Sequence, residues 1–160
     1  MSTENEILAR ELFQRAYRCQ MEGRLAEAAT LYQQSIEAHA TAEAHTFLGW
    51  TFSFMGRLDD AIAECKKAIR TDPDFGNPYN DIGAYLIEMG RPDEAVPWLE
   101  KALRARRYEC YFYAHYNLGR VYEWQGRAEE AMREYANALE KNPQYELARV
   151  SLLRLRNTLN

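Results

Sequence analysis

The residue types in this 160-residue chain that could do chemistry are three histidines, three cysteines and a few adjacent pairs of carboxylates. Imidazole can ligate a metal or carry protons near neutral pH. His45 and His115 hold matching places in two stretches of like pattern, with a third such stretch between them, too far apart to share one ion. Both read as interhelical packing residues, and His39 as a neighbour of a loop. The acidic pairs Asp59-Asp60 and Glu129-Glu130 each begin three residues after a glycine. A helix starts there, and the helix dipole favours negative charge in a first turn without any catalytic role. Cys19, Cys65 and Cys110 are odd in number and form no CxxC pair, which gives neither a disulfide framework nor a zinc site. Cys19 and Cys65 fall on apolar helix faces and read as small core residues. Cys110, inside the irregular stretch RARRYECYF, is expected to be the most solvent-reachable thiol. No P-loop, dinucleotide fingerprint or nucleophile elbow is present. The expectation is a protein with no catalytic residue, no metal and no cofactor.

Charge narrows the partners. The net charge is −4, and a surface that tracks phosphates needs a clustered positive stripe. Arg104, Arg106 and Arg107 are the one local candidate, and three arginines at a helix end equally suit its C-terminal dipole. Nucleic acid is therefore not expected. No run of 18 apolar residues occurs, so no membrane span is expected either. The start, MSTENEILAR, lacks the basic and apolar segments of a signal peptide and reads as a helix start, with Thr3 and Glu6 spaced as a capping box. A reducing cytoplasm is the simplest compartment for such a chain.

The elements that must position these residues are written in a repeat. Gly23, Gly56, Gly90 and Gly126, each followed by arginine, are spaced 33, 34 and 36 residues apart. A fixed period in this range means a stack of similar small units. Apolar residues recur at three- and four-residue intervals on either side of each glycine, the pattern of an amphipathic helix. Glycine between two helices can take positive φ at no steric cost. Ala28, Ala61, Ala95 and Ala131 follow five residues later, where only a small side chain lets two helices approach. Gly49, Gly83 and Gly119 precede by seven residues; each costs about 1 kcal/mol of helix propensity, which close packing must offset. The 36-residue gap predicts a lengthened helix near Arg106 or a longer turn around 108–110. Pro92 suits a first helical position, whereas Pro97 falls inside the same helix and predicts strain or a bend there.

This pattern resembles the tetratricopeptide repeat. Leu48-Gly49, Phe52, Ala61, Ala68 and Pro73 carry the resemblance in the second unit. Ile82-Gly83, Leu86, Ala95, Leu99 and Ala102 carry it in the third, and Leu118-Gly119, Tyr122, Ala131, Tyr135, Ala138 and Pro143 in the fourth. The first unit departs from it, with Arg15 and Ala16 where the others have an aliphatic residue and glycine, as terminal repeats often do. The resemblance implies an all-α fold: a right-handed superhelical solenoid of four helix-turn-helix repeats, 9–41, 42–75, 76–111 and 112–145, plus a C-terminal capping helix, 146–158. The whole chain, 1–160, is read as one domain. In the capping helix Ala148, Leu152 and Leu155 continue the packing face, while Arg149 and Arg156 replace the large residues that would meet a following helix. That arrangement leads us to expect a complete chain.

By the same resemblance, the first helix of each pair lines a concave groove. Its expected binding residues are Phe13, Tyr17, Thr46, Trp50, Phe54, Asn80, Tyr113, Tyr116, Asn117, Arg120 and Trp124. Aromatic residues on a surface outside the core mark recognition, and Phe47 is the inner ring most suited to packing between repeats instead. Members of the family that grip the C-terminal carboxylates of chaperones carry lysine, asparagine and arginine on successive first helices. Here those sites hold Phe13, Tyr17, Thr46, Trp50, Asn80 and Ala84, so that clamp is absent. Asn117 and Arg120 remain to bond a partner's backbone and one acidic side chain. The expected function is a non-catalytic protein-interaction module that binds an apolar or aromatic segment, extended or helical, in this groove. The rival reading is a self-associating structural subunit that uses the groove or an end face, so the expected state is a monomer or a weak homo-oligomer.

Overall fold

The computed structural model describes residues 1–160, which form nine α-helices and no sheet. They are α1 (Glu4–Met21), α2 (Leu25–Ala38), α3 (Ala42–Phe54), α4 (Leu58–Thr71), α5 (Asn77–Glu88), α6 (Pro92–Arg104), α7 (Tyr111–Trp124), α8 (Ala128–Lys141) and α9 (Glu146–Leu159). Thr3 caps α1, its hydroxyl accepting the Glu6 amide at 3.1 Å. Thr41 does the same for α3 with the Ala44 amide.

The turn inside every pair closes in one way. Gly23, Gly56, Gly90 and Gly126 have φ between 73° and 78°. The following arginine amide donates to the carbonyl five residues back, at Cys19, Phe52, Leu86 and Tyr122, over 2.8–2.9 Å. That is the Schellman closure, in which a left-handed residue satisfies the last carbonyls of a helix. The arginine side chain then reaches the acid three residues on, pairing Arg24 with Glu27, Arg57 with Asp60, Arg91 with Glu94 and Arg127 with Glu130. Each exposed pair contributes at most about 1 kcal/mol, but together they explain why arginine follows every turn glycine.

Within a pair the helices pack on small residues. Ala28, Ala61, Ala95 and Ala131 are fully buried. A Cβ on Gly49 would lie 2.9 Å from the Ala61 carbonyl oxygen, one on Gly83 2.5 Å from Leu99, and one on Gly119 2.4 Å from the Tyr135 ring. One further position differs between repeats. His45 meets Glu64 and His115 meets Glu134, each at 2.8 Å, while the third pair fills the equivalent place with Tyr79 against Trp98. The two histidines thus pack between the helices of separate repeats.

The long gap is absorbed by a loop and not by a longer helix. α6 ends at Arg104, and residues 105–110 fold back on the preceding turn. Arg107 bridges to Phe75 through its backbone, stacks on the Phe75 ring at 4.3 Å, and pairs with Glu43 and Asp72 at 2.8 and 2.6 Å. It ties this loop to the second repeat, so of the three arginines only Arg104 lies in the last helical turn. Tyr108 is buried against Gly76, and Cys110 is the one cysteine that is not buried. α6 runs through Pro97 without interruption; the proline sits on the exposed side and leaves the Asp93 carbonyl without its helical donor.

Successive helices pack on one another along the chain, and beyond that α3 reaches α5 and α5 reaches α7. The first helices therefore stand on the inner side of the curve. α9 buries Ala148, Leu152 and Leu155 against the last pair, joining Ala131 and Tyr135 in one cluster. Arg149 and Arg156 are exposed, but so are Leu147, Val150 and Leu153, which makes the free face of α9 less polar than the two arginines imply.

Candidate functional site

The inner helices carry two aromatic groups separated by polar residues. In the first, Phe47 meets Phe13 at 5.2 Å, Tyr17 at 5.9 Å and Trp50 at 5.8 Å, and Trp50 meets Phe54 at 5.1 Å, all edge to face. Such contacts fix ring orientation and add about 0.5–1.5 kcal/mol each beyond burial. In the second, Tyr145 sits between Phe112, Tyr113 and Tyr116 at 5.0–5.4 Å. Phe47 is the packing ring that its sequence position implies, partly buried against the main core.

Between the two groups lies a cavity of about 500 Å³. Six of the eleven expected residues line it: Tyr17, Thr46, Trp50, Asn80, Tyr113 and Asn117. The others fall elsewhere along the same side. Phe13 belongs to a neighbouring cavity of about 650 Å³ between α1 and α3. Tyr116, Arg120 and Trp124 line a third hollow beside α9, and Phe54 leans on Trp50. The eleven residues therefore form a run of hollows and not one pocket.

Their accessibility divides them. Tyr17, Tyr113, Phe54 and Trp124 are exposed, the last by 71%, whereas Thr46, Asn80 and Asn117 are buried and form the floor. The Thr46 hydroxyl is spent on the Ala42 carbonyl. Asn117 donates to the Asn80 side chain at 3.0 Å and accepts from Arg120 at 3.1 Å. This chain of bonds links α5 to α7, so Asn117 and Arg120, expected to face a partner, already have partners within the fold.

One residue whose place in the repeat puts it on the inner side, Asp81, is not among the eleven expected binding residues. Asp81 lines the central cavity with Asn77 and Asn80. It occupies the register held by Phe47 one repeat earlier and by Asn117 one repeat later. A charge at a position otherwise given to a ring and an amide was the available signal. Burial pushes its carboxyl up to about 7, with the Asn80 side chain opposing in part. Elsewhere the acids drawn into the fold have partners. Burial also works against the charge of Glu64, yet hydrogen bonds from His45 and Lys67 hold its carboxyl below the usual range. Glu123 is likewise held down, against burial, by Arg154 and Tyr135.

The chain's relatives agree with this architecture. The tetratricopeptide repeat pattern matches residues 22–74 and again residues 86–155. Small glutamine-rich tetratricopeptide repeat-containing protein 2 of Mycosarcoma maydis is 40% identical over 52 residues, which are 32% of this chain and 15% of that protein. The chain thus spans a small part of that relative's length. Among solved structures, pilF of Pseudomonas aeruginosa superposes with a TM-score of 0.90 at 20% identity, over 98% of this chain and 71% of that one. The first such repeat domain of Spaghetti (RPAP3), bound to the HSP90 peptide SRMEEVD, gives 0.67 at 20% identity over 74% of this chain and 93% of that one.

Proposed function

The chain belongs to the tetratricopeptide repeat family, and from that premise we propose that it is a non-catalytic adaptor that holds an apolar or aromatic segment of a protein partner in its inner groove. Protein interaction is the general role that the family supports, and a relative of the same fold binds a peptide. The observation that carries the finer reading is the row of partly exposed rings, Tyr17, Trp50, Phe54 and Tyr113, flanking a cavity with a polar floor. Aromatic side chains anchor partners at low entropic cost, and truncating an anchor typically costs about 2 kcal/mol or more, near thirtyfold in affinity. No helix is long and apolar enough to cross a membrane. Three free cysteines suit a reducing compartment, and on that ground the cytoplasm is the location we propose. The test is selection of a displayed random heptapeptide library on the full chain and on its Trp50→Ala, Trp124→Ala double variant. Apolar and aromatic peptides should enrich on the former and vanish on the latter while helical circular dichroism persists. Equal enrichment on both would place binding elsewhere.

A second reading is self-association through the free face of α9, where Leu147, Val150 and Leu153 are each about half exposed. Apolar residues clustered on one exposed face favour burial against another surface. Light scattering across a concentration range separates the readings: a mass that doubles and is restored to monomer by Val150→Glu supports association, and a constant monomer leaves the open groove.

A further inference from the structure

If the groove is a binding surface, as proposed above, its one charge narrows the occupant. The central cavity contains a single charged side chain, Asp81, and no lysine, arginine or histidine. No cation of the protein acts on this carboxylate; the Asn80 side chain is the one group that favours its charge. Half-buried charges are normally paired, because desolvation otherwise opposes ionisation. Tyr85 and Tyr108 stand close enough to feel its charge, and the buried Tyr108 hydroxyl lacks a hydrogen-bond partner.

The surroundings suit a cation on a long apolar stem. Tyr17, Trp50 and Tyr113 edge the cavity, and aromatic faces attract ammonium and guanidinium groups. Thr46, Ala84 and the Phe47 ring offer surface to methylenes. We propose that the central groove receives a lysine or arginine side chain from an extended peptide, the cation facing Asp81 and the stem lying against Trp50, Tyr17 and Tyr113. The sign is opposite to that of a site for an acidic tail such as the peptide bound by the RPAP3 domain. With both sides of the pair desolvated, a charge-assisted bond contributes more than a neutral one.

The library selection above provides the ligand, and a third protein, Asp81→Asn, provides the control. The full chain should select peptides with a lysine or arginine between apolar neighbours. Fluorescence anisotropy with the best synthetic peptide should show affinity at least tenfold weaker for Asp81→Asn than for the natural protein. Acetylating the peptide's lysine should cause a similar loss on the natural protein, a comparison that does not depend on how the variant folds. A peptide with methionine in that place should bind both proteins alike. No basic enrichment, or losses under threefold in both comparisons, overturns the assignment to Asp81 while leaving the groove intact if the double tryptophan variant still fails to select. Selection that persists on the double variant, or no selection at all, removes the groove reading and this inference with it.

Discussion

At the scale of residues, two carboxylates show how environment sets sign. Asp81 has its carboxyl raised by burial to about 7 from the ordinary 3.8, so the folded chain holds the proton more tightly than the unfolded one. The resulting stability is fully present below pH 3.8 and is lost as pH rises through about 7. The neighbouring Tyr85, Tyr108 and Cys65 are all pushed up by burial and stay neutral across that window. Asp81→Asn should therefore be more stable than the natural chain at pH 8, by about 1–3 kcal/mol, with the gap closing toward pH 5. Melting curves at several pH values check this, and parallel curves for the two proteins would contradict it. Glu64 behaves oppositely. Burial disfavours its charge, but His45 and Lys67 more than offset that and lower its pKa. Its stability is present above the ordinary value of 4.5 and lost as pH falls through the lowered one. Glu64→Gln should cost about 1–3 kcal/mol at pH 7, and the cost should shrink in acid. A variant that melts with the natural chain at pH 7 would mean the His45 contact contributes nothing.

Among the elements, the close helix approach inside each pair is the most exacting feature. Gly119→Ala gains about 1 kcal/mol of helix propensity but sets a methyl 2.4 Å from the Tyr135 ring. That ring is buried and its hydroxyl donates to Glu123 at 2.7 Å, so it has little room to yield. Overpacking of this kind costs about 1–3 kcal/mol, and the net change in thermal denaturation should be a lower midpoint. A raised midpoint would show that Tyr135 can swing aside. α9 makes the other element-scale case. Removing residues 146–160 uncovers Ala131 and Tyr135 and discards Leu152 and Leu155. Burial of each leucine contributes about 1.5–3 kcal/mol, so the shortened chain should lose a few kcal/mol in urea denaturation. An unchanged midpoint would mean that α9 is not structural.

The whole molecule is a row of pairs that touch mainly their neighbours, and such arrays unfold by segments. Eighteen buried residues from α1 to α7 form one cluster, while α8 and α9 share a separate cluster of four. The loop of residues 105–110 reinforces the middle, since Arg107 joins Glu43 and Asp72 of the second repeat. Amide hydrogen exchange should consequently be slowest in α3 to α6 and faster in α8 and α9, because local opening needs fewer contacts to break there. Uniform protection along the chain would indicate one cooperative unit instead.

What the amino-acid order determined by itself was everything that closes locally. Glycine with positive φ, the arginine after it and the acid three residues on act within one turn, so the four turns and eight paired helices were legible from spacing alone. The groove was legible only in outline. Phe47, Asp81 and Asn117 share a register, yet the first packs against the core, the second stands in a cavity with no cation beside it and the third bonds Asn80. Likewise Thr46 and Asn80 read as groove-facing and lie buried in its floor, while Trp124 is largely exposed. A side chain's direction follows from its place on its own helix, but whether it finds a partner depends on residues one repeat away, 37 positions distant in sequence for Asn80 and Asn117. Only the stacking of repeats brings those residues together, and so only the tertiary structure decided which of the inner residues are left free to meet something else.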